Sequence, residues 1–205
     1  MNDETEDTRL DGYMPLCPDS AMTRHRDIFD NLRLELKIAA DGHRELSELP
    51  AADICRNLYG MRGKRGKMYL PIYEAAAAVY CHDLYFSTIV PSSKYPSLPQ
   101  GRCAELLKKS FGSAGNFFYL VRTLAAGASN PGFLWLYEKH PKGREPILGI
   151  ARLPLYSLPD IRNVRPLMCI DLWEHAYIDR WNSDISGYAD ACLRQTDWEF
   201  VFSKL

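Results

Sequence analysis

Residues 171–177 read Asp171-Leu172-Trp173-Glu174-His175-Ala176-Tyr177. They place a carboxylate and an imidazole four residues apart, directly after the apolar run 166–170, which predicts a buried strand. Side chains that follow the end of one strand can converge on one point, and oxygen and nitrogen donors together bind divalent transition metals. The heptapeptide therefore predicts half of a metal site, and the remaining ligands must come from elsewhere in the chain.

The composition is that of a folded protein, with 205 residues, 46% hydrophobic residues and a formal charge of −1. A nearly neutral charge gives no general attraction to nucleic acid or to anionic membranes. No apolar run approaches the roughly 18 residues that a membrane span needs. The acidic segment 2–7 argues against a signal peptide or a mitochondrial presequence, and the six cysteines are too scattered for a disulfide framework or a zinc ribbon. We therefore expect a cytoplasmic protein.

The pattern of apolar residues predicts a helical first half. Apolar residues at steps of three and four predict a long helix over 18–40, a short one over 51–58 and a second long one over 71–90. The segment 60–67, rich in glycine and basic residues, is predicted to be a loop.

The second half mixes helices with strands. Its predicted elements are helices at 101–110 and 113–127, strands at 132–138, 146–153 and 166–171, and terminal helices at 185–196 and 198–202. The predicted fold class is thus α+β, with a long α-hairpin followed by a three-stranded antiparallel sheet flanked by helices. We expect a flexible arm (1–15), a helical-hairpin domain (16–91), a hinge broken by prolines (92–100) and an α+β domain (101–205), with the metal between the two lobes.

Five segments resemble the iron/manganese superoxide dismutase family. The most specific is 171–177, which is similar to the family's DVWEHAY signature. The others are 79–86, similar to VWNHTFYW; 110–113, similar to the start of the family's C-terminal lobe; 130–136, similar to GSGWxWL; and 196–200, similar to the terminal NWE segment.

The resemblance implies an iron or manganese ion, a homodimer and the dismutation of superoxide to oxygen and hydrogen peroxide. Carried over by position, three of the four metal ligands are His82, Asp171 and His175. Glu174 matches the residue that reaches across the dimer to a metal-binding histidine of the partner subunit, and Tyr177 matches an interface tyrosine. The aromatic residues around the metal are matched by Phe86, Phe133 and Trp135.

The fourth ligand is left open by the sequence. In the family it is a histidine on the first helix, followed at four-residue steps by a second histidine and a tyrosine. One alignment places Arg24, Ile28 and Leu32 at these positions, and another places Ser20, Arg24 and Ile28 there. His25 is the imidazole nearest to either alignment, but one residue corresponds to about 100° of rotation around a helix. We include His25 as the fourth candidate.

The family also tunes its metal-bound solvent with a glutamine, and the two positions that can supply it are occupied here by Ala78 and Tyr156. Three functions therefore remain open: a superoxide dismutase, active or impaired; a metal-binding protein with altered oxygen chemistry; and a non-catalytic structural subunit, for example of a mitochondrial small ribosomal subunit. The basic segment 62–67 would suit a phosphate backbone. A solvated surface turn is the simpler interpretation of that segment, so we do not expect nucleic acid to bind.

Overall fold

Two long antiparallel helices dominate the first half of the protein in the computed structural model, which describes residues 12–94 and 98–205. Helix α1 (Asp19–Ala39) is followed by the short helices α2 (Arg44–Ser47) and α3 (Ala51–Leu58), and then by α4 (Gly63–Thr88). The buried residues of α1 lie at steps of three and four along one face, against α4: Ala21, Met22, His25 and Phe29. The predicted hairpin is therefore present.

Helix α4 begins two turns earlier than the sequence predicted. Proline is common in the first turn of a helix, so the sequence predicts a helix that starts at Pro71 and a loop over 60–67. The structure instead places Gly63–Leu70 in α4 and Pro71 inside it. Lysine, arginine, methionine and leucine favour helix in this segment, and the missing N–H of a single proline interrupts the helix at only one hydrogen bond.

The second half is the predicted α+β unit. Helices α5 (Gly101–Phe111) and α6 (Ala114–Ala126) precede three strands, β1 (Gly132–Lys139), β2 (Ile147–Pro154) and β3 (Val164–Asp171). The strands form one antiparallel sheet in the order β2-β1-β3. Helices α7 (Glu174–Trp181), α8 (Ile185–Arg194) and α9 (Trp198–Ser203) complete the fold. The predicted fold class is confirmed.

The two halves share one hydrophobic core. Strand β3 packs on α4, where the thiol of Cys169 donates a hydrogen bond to the carbonyl oxygen of Cys81, at 3.2 Å. The segment before α1 is tied to the other end of the chain: the backbone N–H of Leu16 donates to Gln195 Oε1 (2.9 Å), and Trp181 Nε1 donates to the carbonyl oxygen of Leu16 (2.7 Å). This packing places the carboxyl end of β3 against the α1–α4 hairpin.

Parts of two predicted segments, 1–11 of the arm and 95–97 of the hinge, lie outside the described residues. Within the described ranges, no helix combines the length and the apolar character that crossing a membrane requires.

Candidate metal centre

Four side chains from four elements meet between the hairpin and the sheet. His25 comes from α1, His82 from α4, Asp171 from the last residue of β3 and His175 from the first turn of α7. Their candidate ligand atoms all lie within 4.8 Å of one another. The structure thus brings together the three residues that the sequence singled out and the fourth candidate, His25.

Asp171 is the centre of this cluster. Its Oδ2 atom lies 3.0 Å from Nε2 of His25, 3.2 Å from Nε2 of His175 and 3.4 Å from Nε2 of His82. Its other oxygen, Oδ1, accepts a hydrogen bond from the backbone N–H of Trp173 at 2.8 Å, which fixes the orientation of the carboxylate. Three imidazoles therefore point at one carboxylate oxygen.

The surroundings keep Asp171 ionised even though it is fully buried. Burial by itself raises the pKa of the carboxyl group, but the hydrogen bonds from His175 and His25 outweigh that effect. The net result is a pKa well below the usual range of an aspartate. A buried negative charge is thereby maintained at the point where the imidazoles meet.

The state of His82 provides a test of whether a cation fits. Its Nδ1 lies 2.8 Å from the carbonyl oxygen of Ala78, and because a carbonyl can only accept, the proton is on Nδ1. Burial lowers the pKa of His82, which favours the neutral ring, so Nε2 carries a lone pair. This Nε2 has no hydrogen-bond partner among the described residues, although it is buried and faces the ionised Asp171.

A lone pair that faces a carboxylate oxygen is repelled unless a cation lies between them. A buried donor set of three imidazoles and one carboxylate is also a chemically suitable set for iron or manganese. The residues present therefore fit a divalent metal ion, and its binding would displace the two Nε2 protons that His25 and His175 now donate to Asp171.

Aromatic rings enclose the cluster on most sides. His25 stacks on Tyr85, with ring centroids 5.2 Å apart, and His82 stacks on Phe29 at 5.7 Å. The predicted aromatic neighbours Phe86 and Phe133 lie 4.8 Å from His25 and 5.6 Å from His82, respectively. Tyr85 and Phe29 are not among the neighbours predicted from the sequence. Phe29 lies four residues after His25 on the buried face of α1, and this spacing is the signal that could have identified it.

Access to the cluster is from the side of His175. His25, His82 and Asp171 are buried, whereas 23% of the His175 side chain is exposed. Glu174, next to it, is exposed in the first turn of α7, and the ring of Tyr177 packs on Tyr188 at 5.7 Å. Trp135 packs on Phe133 with ring centroids 6.3 Å apart.

The position of His25 shows how α1 aligns with the first helix of the family. Helix α1 is a continuous α-helix, and the side chain of Arg24 makes an ion pair with Asp179 at the surface instead of entering the cluster. Neither alignment, one with Arg24 and the other with Ser20 at the ligand position, places His25 there, although His25 is the residue of α1 that enters the cluster. The four-residue steps from His25 lead to Phe29 and Arg33, and the guanidinium of Arg33 lies 4.0 Å above the Phe29 ring.

Both positions that could have supplied a tuning glutamine lie beside His82. The carbonyl oxygen of Ala78 accepts the His82 hydrogen bond, and the ring of Tyr156 lies 6.3 Å from the ring of His82 and stacks on Trp173 at 5.1 Å. Burial, followed by the charge of Asp171, raises the pKa of Tyr156 to about 12. Its hydroxyl therefore remains protonated at neutral pH.

Comparison with known proteins agrees with this geometry. Residues 99–204, which are 106 of the 205 residues, match the profile of iron/manganese superoxide dismutases, C-terminal domain. The iron superoxide dismutase of Escherichia coli is 29% identical over 134 residues, 65% of this chain and 66% of that protein. That of Bacteroides fragilis is 30% identical over 135 residues, 65% of this chain and 67% of the relative.

A plant relative is covered less completely. Iron superoxide dismutase 3 of Arabidopsis thaliana, which is named as chloroplastic, is 28% identical over 137 residues, 66% of this chain and 50% of the relative. The matched part thus spans half to two thirds of the length of these relatives. The profile covers more than half of the chain and includes both Asp171 and His175. The chain belongs to the iron/manganese superoxide dismutase family.

Proposed function

We propose that this protein binds one iron or manganese ion through His25, His82, Asp171 and His175 and dismutates superoxide to oxygen and hydrogen peroxide. The observation that carries the proposal is the convergence of three imidazole Nε2 atoms on one buried, ionised carboxylate oxygen, with no hydrogen-bond partner for the Nε2 of His82 in the described part of the chain. A redox-active ion held there would supply the electron exchange that oxidises one superoxide and reduces another.

The chain's own residues would orient and tune the site. Ala78 holds the His82 tautomer through its carbonyl oxygen, and the backbone N–H of Trp173 fixes Asp171. Such outer contacts usually contribute strongly to metal affinity. We propose that the protonated hydroxyl of Tyr156 supplies the hydrogen bond that the family obtains from a glutamine, because its ring is adjacent to His82.

A metal-binding protein with altered oxygen chemistry is the second candidate. It is favoured by Ala78, Phe29 and Arg33, which stand where the resemblance implies a glutamine, a histidine and a tyrosine. Without these groups, the redox potential and proton supply of the site would differ from those of an ordinary dismutase.

Further proposals concern assembly and compartment. Glu174 and the apolar side chain of Ile178, 45% exposed, lie on the outer face of α7 beside the partly open His175. A second copy that covers this face would exclude water from the cluster, and this supports a homodimer. All six cysteines are free thiols, which supports a reducing compartment such as the cytoplasm.

Metal content and dismutase activity, measured on the same preparation, test the function. We expect about one equivalent of iron or manganese in protein purified from cells supplemented with both metals, and catalysed loss of superoxide. The variant His175→Ala should lose both. The matched control His140→Ala, which removes an exposed histidine that contacts Glu138 instead, should retain both.

The outcomes separate the candidates. Less than about a tenth of an equivalent of metal in the wild-type protein would contradict both metal-dependent functions. Full metal content without dismutation would reject the first candidate and favour altered oxygen chemistry.

A further inference from the structure

A groove of about 1000 Å³ lies between α1, the first half of α4 and the loop that follows β2. We call it the α1–α4 groove. Its described walls are mainly apolar and aromatic, with Leu32 from α1, Leu70 from α4 and Leu158 from the loop, together with the tyrosines Tyr59, Tyr73 and Tyr156. Concave sites of this size with a largely apolar lining and a few polar groups are typical of binding sites for small organic molecules.

The floor of the groove adjoins the metal cluster without being part of it. Ala78 and Tyr156 both line the groove, and both contact His82, one through its carbonyl oxygen and the other through its ring. Because alanine is small, position 78 leaves the floor open, and a longer side chain there would project into the groove. A molecule in the groove would therefore lie next to the residues that hold His82.

The charged side chains among the described lining residues are all acidic. They are Glu35 on α1 and Glu74 on α4, both exposed. Neither carboxylate makes an ion pair with a described residue, although ion pairs are frequent elsewhere on the hairpin, for example between Arg33 and Asp83. Two uncompensated carboxylates at an apolar, tyrosine-lined groove favour a cationic ligand over an anionic one.

We propose that the α1–α4 groove binds a small organic molecule with an apolar ring system and a protonated amine. Its rings lie among Tyr59, Tyr73 and Tyr156, and its amine lies near Glu35 and Glu74. Superoxide has two atoms and a negative charge, so neither the volume nor the charge of the groove suits it. The groove is thus a second binding site, and its occupancy does not depend on the proposed dismutation.

A pair of probes with the same ring and opposite charges tests this proposal. Binding of 1-naphthylmethylamine, which is cationic at neutral pH, and of 1-naphthylacetate is measured on the full-length protein by isothermal titration calorimetry. We expect the amine to bind about tenfold more tightly than the acid. Failure of the amine to bind at millimolar concentration, or equal affinities for the two probes, would overturn the proposal.

Variants locate the binding within the groove. Ala75 of α4 lines the groove and is partly exposed, so Ala75→Leu fills it at little risk to the core. We expect Ala75→Leu to weaken binding of the amine about tenfold. The control Ala126→Leu, at an exposed alanine of α6, should not change it. Unchanged binding in Ala75→Leu, with the fold verified by circular dichroism, would place the ligand elsewhere and overturn the assignment.

The carboxylates are tested separately from the cavity. The double variant Glu35→Gln/Glu74→Gln keeps the shape of the groove and removes both charges. We expect it to bind the two probes with equal affinity, because only the preference for the cation is lost. An undiminished preference for the amine would contradict the role given to Glu35 and Glu74. Since no superoxide is used, a negative result here is distinguishable from a failure of the proposed dismutation.

Discussion

At the scale of single residues, Asp171 lies close to three histidines that come from distant parts of the sequence. Its Oδ1 accepts a hydrogen bond from the backbone N–H of Trp173. Its Oδ2 faces the Nε2 atoms of His25, His82 and His175. The carboxylate is buried, yet its pKa is held low, because the hydrogen bonds that it accepts from His175 and His25 outweigh the cost of burial. The cluster is therefore a prearranged group of donors around one negative charge.

Adjacent residues of α1 give the sharpest test of the fourth ligand. His25→Ala removes an imidazole from the cluster, whereas Arg24→Ala removes a side chain that pairs with Asp179 at the surface. We expect His25→Ala to lower metal affinity at least 10- to 100-fold, the range already seen for outer contacts of metal sites. Competition with a chromogenic chelator measures this affinity.

Arg24→Ala is the matched control for that measurement and should retain the affinity of the wild type. Equal loss of affinity in both variants would indicate that disruption of α1, and not loss of a ligand, is responsible.

Tyr156 is the second residue with a separable role. Tyr156→Phe keeps the ring that stacks on Trp173 and removes the hydroxyl. If this hydroxyl tunes the site, dismutation should fall about tenfold while the metal content is unchanged. Tyr119→Phe, at an exposed tyrosine of α6, is the control. Undiminished activity in Tyr156→Phe would remove this residue from the proposed mechanism.

The sequence predicted part of the site. The four-residue spacing of Asp171 and His175 indicated a metal site by itself, whereas His82 was assigned through the resemblance of 79–86 to the family's helix. His25 was uncertain because the rest of the family's first-helix pattern is absent, and a shift of one residue turns a helical side chain by about 100°. Only the packing of α1 on α4 determines which side chain points inward.

At the scale of elements, the β1–β3 pairing positions the carboxylate. Phe133 pairs with Asp171 in the sheet, and the carbonyl oxygen of Gly132 accepts the backbone N–H of Leu172 at 2.9 Å. On its other side, Gly132 opposes Pro154 of β2. The start of β1 is thus held closely between both neighbouring strands, and the end of β3 depends on it.

Gly132→Ala should disturb this arrangement. An added Cβ would collide with the carbonyl oxygen of Leu153 and would lie 2.9 Å from Cα of Pro154. We expect the free energy of unfolding to fall by about 1–3 kcal/mol, with loss of metal affinity, because overpacking forces the backbone to shift. Urea denaturation and chelator competition measure the two effects.

Gly115→Ala is the control for this variant. Its added Cβ would lie 3.7 Å from Ser113 Oγ, an ordinary contact, and alanine is favoured over glycine in a helix by about 0.5–1 kcal/mol. Stability should therefore stay the same or rise. A Gly132→Ala protein as stable as the wild type would contradict the close packing of the three strands.

Elements were predicted well where local signals are strong. The strands and the α+β class followed from apolar runs separated by glycine and proline. The predicted start of α4 was wrong because Pro71 is compatible both with a helix start and with a helix interior. Only the tertiary contacts distinguish these two positions.

At the scale of the whole molecule, the outer face of α7 leads to the prediction of a dimer. Ile178→Glu places a charge on the proposed interface, and we expect at least a tenfold weaker dimer in sedimentation velocity, because a buried unpaired charge is costly. The control Tyr119→Glu changes an exposed side chain on α6 and should leave assembly unchanged. A wild-type protein that is monomeric at micromolar concentration would contradict the homodimer.

The buried cysteines have a consequence for how the protein withstands its own chemistry. Burial raises the pKa of Cys81 and Cys169, which join α4 to β3 next to the cluster, and also raises the pKa of Cys17 to about 11 and that of Cys55 to about 12. Peroxide oxidises the thiolate and not the thiol. The proposed dismutation would form peroxide in a protein whose buried cysteines are held as thiols, the less oxidisable form of sulfur, so these cysteines would resist oxidation.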